Sequence, residues 1–375
     1  MKVATLCYGK DNEWRFDGAS LADPQLVIWF SDYARAKSPD AFDSLRRTCP
    51  DALIVGCTTN GEIYKGEVME GACVAAAVRF AATRVQGAFL IVEPQGDARA
   101  AGRRLAAELR ADGLRGVFVL ADAFGLNGSD LVEGIASELP DDVIVSGGMA
   151  GDGGALGGST LAGLDRTPCE RGVAAIGFYG EALRIGQGVA GGWDALGPSR
   201  HITRASGSVV YELDGQPALE VYERLVGDAG TNARLRHPFC IKPTADSAQD
   251  VIWEVVGIDR ESNGIVFIDK APEGHWGQIM RGVDDHLVDG AAEAARIASS
   301  DPTSGDALGL MVSCIGRKWA MGQRIGDETE AVQDEMPRIP TIGFFSYGEV
   351  APHARTGTTT LHHASVSVTL LSEAA

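Results

Sequence analysis

The chain has 375 residues, enough for two domains at about 150 residues each, and its 33 Lys and Arg stand against 51 Asp and Glu for a net charge of −18. With a sequence pI near 4.8 and no basic cluster, it lacks the positive patch that nucleic acid or an anionic membrane surface would need. Apolar residues make up 45% and charged residues 22%, which excludes a disordered chain. Glycine is the unusual component: 48 of 375 residues is about 13% against a usual ~7%, so many positions go to tight turns and close backbone approaches.

No apolar run nears the ~18 residues that span a bilayer. Residues 1–10 (MKVATLCYGK) read as a first strand rather than a secretion signal, so a cytoplasmic protein without membrane insertion is expected. Seven scattered cysteines with no C-x-x-C pair speak against a disulfide framework and against structural zinc.

In chain order, residues 52–57 (ALIVGC) form a short apolar run that stops at a turn, and 73–80 alternate as a strand with one packed face. Leu105 and Leu109 mark a helix over 103–110. Residues 116–146 read as strand, helix and parallel strand, with Asp130 and Glu133 as a capping pair. Short strands follow at 173–179, 183–189, 201–205 and 209–213, so the sheet is not purely doubly wound. The breaker-rich stretch 191–198 (GGWDALGP) places a boundary between regions 1–197 and 198–375. Beyond it come a helix at 217–226, a hairpin of 251–258 and 265–268 turning at Ser262-Asn263-Gly264, a helix at 284–298, and strands at 308–312, 339–345 and 362–371. The expected fold is mixed α/β (α+β): two lobes of mixed parallel and antiparallel sheet flanked by helices. Residues 56–63 (GCTTNGEI) and 343–350 (GFFSYGEV) share Gly, Gly and Glu at one spacing, an echo that suggests two related halves.

The glycine-rich stretch 146–154 (SGGMAGDGG) follows a strand, where α/β sheets place ligands. No helical run follows it and no Gly-Lys-Ser/Thr occurs, which rejects a dinucleotide fold and a P-loop. It is a packing turn or a loop of amides around a small ligand. Cys57, beside Thr58, Thr59 and Glu62, invites a thiol nucleophile, yet no histidine lies in residues 1–200. The blander reading is a buried small hydrophobe, and Cys314 reads the same way. Counting in twos along 362–371 puts His362 on the buried face and His363 on the wet one. His362 is then a core histidine, a pocket base or a haem ligand. Cys49-Pro50 offers a thiolate for haem, and no C-x-x-C-H permits covalent attachment. Glu62, Arg317 and Glu349 are either rim charges or clamps for a zwitterion.

Five motifs in order, GCTTNGEI at 56–63, SGGMAGD at 146–152, YELDGQPA at 211–218, SCIGR at 313–317 and GFFSYGE at 343–349 with His362, resemble the FIST sensory proteins over roughly residues 53–372. The resemblance implies a non-enzymatic signal-transduction module that binds a small ligand, amino acids in particular. It also implies a haem-based nitric-oxide sensor as the alternative, with a histidine kinase or a cyclic-di-GMP enzyme as partner. A cysteine-dependent enzyme is the third reading. Asn60 and His363 depart from the residues frequent in the family. The candidate ligand-binding set is Cys57, Thr58, Thr59, Gly61, Glu62, Gly147, Gly148, Gly151, Asp152, Ser313, Cys314, Arg317, Tyr347, Gly348, Glu349 and His362, with His362 as the metal ligand if haem binds. Their shared glycine turns should converge on a hollow between the lobes.

Overall fold

The computed structural model describes residues 1–301 and 306–374. Apolar runs of β-branched and small residues build three six-stranded sheets of one design. Each contains one parallel pair: Leu26–Ser31 with Leu53–Thr58, Leu114–Ala121 with Ile144–Met149, and Ala307–Cys314 with Thr341–Ser346. In each, the first strand of the pair takes an antiparallel neighbour, Cys73–Arg79, Gly172–Tyr179 or Val366–Glu373. The sheets face one another across a single apolar core that includes Ile28 and Val55 from the first, Phe118 and Ile176 from the second, and Leu310 and Phe344 from the third. Helices cover the outer faces, Pro39–Thr48 on the first sheet, Ala98–Leu109 and Gly128–Glu138 on the second, and Asp284–Ala298 and Ile325–Glu335 on the third.

The sheets also trade strands in a cycle. The first sheet's Leu53–Thr58 leads through a turn into Glu62–Tyr64, which pairs in the third sheet. The third sheet's Thr341–Ser346 leads into Glu349–Pro352, which pairs in the second. The second sheet's Ile144–Met149 leads through residues 150–161 into Ala162–Leu164, which pairs in the first. The register makes Gly56, Gly147 and Gly343 equivalent. A Cβ on them would lie 2.5, 1.8 and 1.9 Å from the carbonyl oxygens of Trp29, Val119 and Met311, their partners in the parallel pair. Only glycine lets the strands approach so closely. The echo between 56–63 and 343–350 is thus two members of a set of three, the third being masked in sequence by the longer connection after Met149.

A nine-stranded sheet, running from Trp193–Ala195 to Trp276–Gly282, packs its own core around Tyr222, Phe239 and Phe267 and forms the remaining lobe. The mixed α/β organisation is as expected, including the parallel crossover over 116–146 and the helix Asp284–Ala298. Three local expectations differ. The helix Gly128–Glu138 is capped by Asn127, whose side chain accepts from the Asp130 amide at 2.7 Å, while Asp130 and Glu133 instead pair with Arg99 across the helix interface. The run 251–258 breaks at Glu254 into Val251–Trp253 and Val255–Asp259, which join different neighbours. The last run is two strands, Thr359–His362 and Val366–Glu373, broken at Ala364 with φ +52°. That break ends the alternation, so His363 turns inward and is buried rather than wet.

Candidate functional site

The strand exchange forces the three turns together. Asn60 N donates to Phe345 O at 2.9 Å, Tyr347 N to Met149 O at 3.2 Å, and Gly151 N to Thr58 O at 2.8 Å, one bond from each turn to the next. A second ring runs from Phe345 N to Gly61 O, Met149 N to Gly348 O and Thr58 N to Leu161 O, each 2.9 Å. The turns meet as expected, but these main-chain amides satisfy one another. Asn60 locks the third turn further, its Oδ1 accepting from the amides of Asp152 and Gly154 at 2.9 Å. Asp152 in turn accepts from the Tyr347 hydroxyl and from the amides of Ala155 and Gly158. Gly151 has to be glycine, since a Cβ would sit 2.3 Å from Asn60 N.

Glu62 and Glu349 occupy equivalent positions and make equivalent clasps. Glu62 accepts from Thr59 Oγ1 at 2.5 Å and Ala72 N at 3.0 Å. Glu349 accepts from Ser346 Oγ at 2.6 Å and from Ser365 Oγ and N at 2.7 and 3.3 Å. Burial raises both carboxyls against the pull of these hydrogen bonds, to about 7 and about 8. Arg317 is also fully buried. Its guanidinium is engaged by Glu328 at 2.7 Å and by the carbonyls of Gly191 and Leu287, and Ser313 Oγ donates to the same Glu328. None of the three is a rim charge. Cys57 lies in the shared core, where burial and then the Glu62 charge push its thiol well above the ordinary range. Thr58 Oγ1 accepts from Leu161 N at 2.9 Å. Gly148 and Gly348 lie at the second-to-third crossing, packed on Val312 and Leu361.

The hub opens to a hollow on the side of the third turn. Strand Ala307–Cys314 ends at the core and helix Ile315–Met321 begins, carrying Trp319 outward. Cys314 Sγ donates to Glu254 Oε1 at 3.2 Å, and a Cβ on Gly316 would fall 1.5 Å from that oxygen, so the missing side chain is what admits the carboxylate. Glu254 keeps an edge at the surface while its carboxyl is enclosed, and burial raises it to about 7. Together with Leu156 of the third turn, Arg234, Leu235, Val255, Val256 and Trp319 it lines a hollow of about 260 Å³ between the nine-stranded lobe and the hub. Arg234 donates to Val256 O at 2.7 Å. Glu254 and Trp319 were not singled out from sequence. A lone glutamate inside the apolar run VIWEVV was the available signal for the first.

His362 and His363 line a separate cavity of about 240 Å³. Burial lowers His362 to about 4, and its Nε2 meets Ala351 O at 3.2 Å. That nitrogen is engaged by a main-chain carbonyl. Cys49 is packed with Leu45 and Ala52 in the core of the first sheet. As placed, these residues do not fit a haem. Among the described residues no group of three His, Cys, Asp or Glu side chains could hold a metal ion, and no helix is long and apolar enough to cross a membrane.

A FIST N domain model matches residues 25–216 and a FIST C domain model matches 218–352. The chain belongs to the FIST family. FIST domains are associated with sensory signal transduction. The chain is 26% identical over 265 residues to the uncharacterized protein Rv0628c of Mycobacterium tuberculosis, covering 67% of each. It is 26% identical over 266 residues to the uncharacterized protein Mb0898c of Mycobacterium bovis, covering 67% of this chain and 66% of that one. A crystal structure titled as a cyanuic acid hydrolase from A. caulinodans aligns with 98% of this chain and 97% of that one at 10% identity, with a TM-score of 0.31, a likeness too low to carry an argument. The two FIST regions meet in the hub, because each supplies turns that the other's strands complete.

Proposed function

We propose that this FIST protein is a small-ligand receptor whose ligand is an amino acid with an apolar side chain, taken in the hollow over Glu254. The observation that carries the reading is that hollow itself: one carboxyl and one guanidinium set in walls of Leu156, Leu235, Val255, Val256 and Trp319. An ammonium group would pair with Glu254 and a carboxylate with Arg234, while the apolar side chain covers the ring of Trp319. The pocket joins the third turn, helix Ile315–Met321 and the nine-stranded lobe, so occupancy would favour one seating of the lobe on the hub. The protein would report that seating to a partner, in histidine-kinase or cyclic-di-GMP signalling, through a difference in affinity for the two states.

A thermal-shift screen of leucine, phenylalanine and the other apolar amino acids tests this. A ligand at one hundred times its Kd adds about 2.7 kcal/mol to stability, and Glu254→Gln abolishes the shift. Pairing needs the ionised carboxyl, so affinity rises as pH increases from 6 to 8, through the Glu254 value of about 7. No shift with any amino acid, or an equal shift in Glu254→Gln, would overturn the reading.

A further inference from the structure

Among the described residues one side chain donates to the Glu254 carboxyl, and it does so from outside the hollow. Cys314 is fully buried at the end of strand Ala307–Cys314 and takes no part in the hollow's walls. Its Sγ nevertheless reaches Glu254 Oε1 at 3.2 Å, which joins the third sheet to the nine-stranded lobe. Gly316, two residues on, opens the slot that this oxygen occupies. A Cβ there would lie 1.5 Å from Oε1 but 3.4 Å from Oε2, so the first oxygen is the inner one. Oε2 has no donor among the described residues, yet it is not sealed from solvent. The carboxyl is thus held by one oxygen and offered by the other. Burial, then the Glu254 and Glu349 charges, push the Cys314 thiol well above its ordinary range, so it keeps its proton where Glu254, raised to about 7, exchanges its own. An ionised carboxylate only accepts and an S–H donates, so ionisation of Glu254 fixes the direction of this bond and strengthens it. The other charged groups that face the pair are Arg234 across the hollow and Glu349, whose charge bears on Cys314 as well.

We infer that Cys314 is a positioning residue of the hollow: its thiol proton pins Glu254 Oε1 in the slot left by Gly316 and turns Oε2 outward as the oxygen that meets a ligand's ammonium group. The inference rests on the amino-acid reading for the ligand, whereas the hydrogen bond itself is read in the free protein. It asks no nucleophilicity of Cys314, because the sulfur acts only through Glu254.

The test follows the Glu254 carboxyl in the full chain by ¹³C NMR, its resonance assigned by its loss in Glu254→Gln, together with the infrared S–H band that Cys314→Ser removes. In the parent, that band should move to lower frequency as pH rises through the Glu254 midpoint. Cys314→Ala should raise the midpoint by about one to two pH units, the worth of one hydrogen bond to a charged group. Cys314→Ser, which restores a donor, should return it to the parent value or below. Leucine affinity at pH 7 should fall at least about fivefold in Cys314→Ala, as the ionised fraction drops, and recover in Cys314→Ser. A merely structural thiol would change stability without moving the midpoint. If Cys314→Ala does not fold, the pH response of the parent's S–H band decides. A band that ignores the Glu254 titration, or a midpoint equal in the parent and folded Cys314→Ala, would overturn the inference and leave the amino-acid reading standing. A midpoint that shifts as expected while no amino acid binds would uphold the hold of Cys314 on Glu254 and overturn the amino-acid reading instead.

Discussion

Glu349 is fully buried, with both carboxyl oxygens held by serines, and is raised to about 8. A carboxyl whose folded pKa lies above its unfolded value of about 4.3 binds protons more tightly in the folded chain. It therefore supports folding fully below that value, and its contribution is lost as pH rises towards 8. Glu62 and Glu254, each raised to about 7, act with the same sign. Their combined effect is a stability that declines from pH 5 to pH 8. Replacing Glu349 by Gln should flatten that decline by up to about 1.4 kcal/mol per pH unit, one proton's worth, measured by urea unfolding across the range. A slope unchanged from the parent would show that Glu349 is ionised in the folded chain. At this scale the sequence singled out residues of turns that the fold gathers at one hub and left the use of each side chain open. The spacing shared by Glu62 and Glu349 was visible, whereas the partners that spend Arg317, namely Gly191, Leu287 and Glu328, come from distant elements.

Strands and turns were more legible, because a strand buried on one face, or a helix with one apolar stripe, writes its period into the chain. The helix Asp284–Ala298 and the parallel crossover at 116–146 follow from that pattern. Val366–Glu373 alternates apolar and polar residues yet is buried along its whole length, so the alternation did not mark a wet face, and the break at Ala364 and the inward turn of His363 were hidden. Elements also interlock closely at the equivalent glycines. Gly147 combines φ +138° with a Cβ position 1.8 Å from Val119 O, so an alanine must part the central parallel pair of the second sheet. Gly147→Ala should cost more than about 2 kcal/mol. Gly153→Ala, whose Cβ would meet nothing within 4 Å, should cost only the strain of φ +79°. Chemical denaturation of the two variants side by side separates close approach from backbone conformation. Equal losses would refute the packing argument.

At the level of the molecule, the boundary visible at 191–198 in the sequence is not a seam in the sheets. Glu62–Tyr64 finds its partner at Thr341–Ser346, and Glu349–Pro352 finds its partner at Ile144–Met149. Neither region alone completes the three sheets. Fragments 1–197 and 198–375 expressed separately should lack cooperative unfolding, whereas co-expression should give a tagged complex in which both copurify and melt together. An independently cooperative fragment 1–197 would contradict the exchange of strands. Long-range pairing of this kind has no local signature, since it depends on which edges the folded sheets leave open.

The departure from symmetry at the third crossing has its own consequence. Two of the three crossings are closed by short turns and a buried glutamate, at 59–62 and 346–349. The third has Ala162 in place of the acid and an excursion over 150–161 that puts Leu156 on the wall of the Glu254 hollow. Closing a longer excursion grows costlier only slowly, by about 0.6 kcal/mol for each doubling of its length. The tip of that segment is therefore the part of the scaffold most open to lengthening, so relatives built on the same frame can acquire new tastes by redrawing one loop while the interwoven sheets stay as they are.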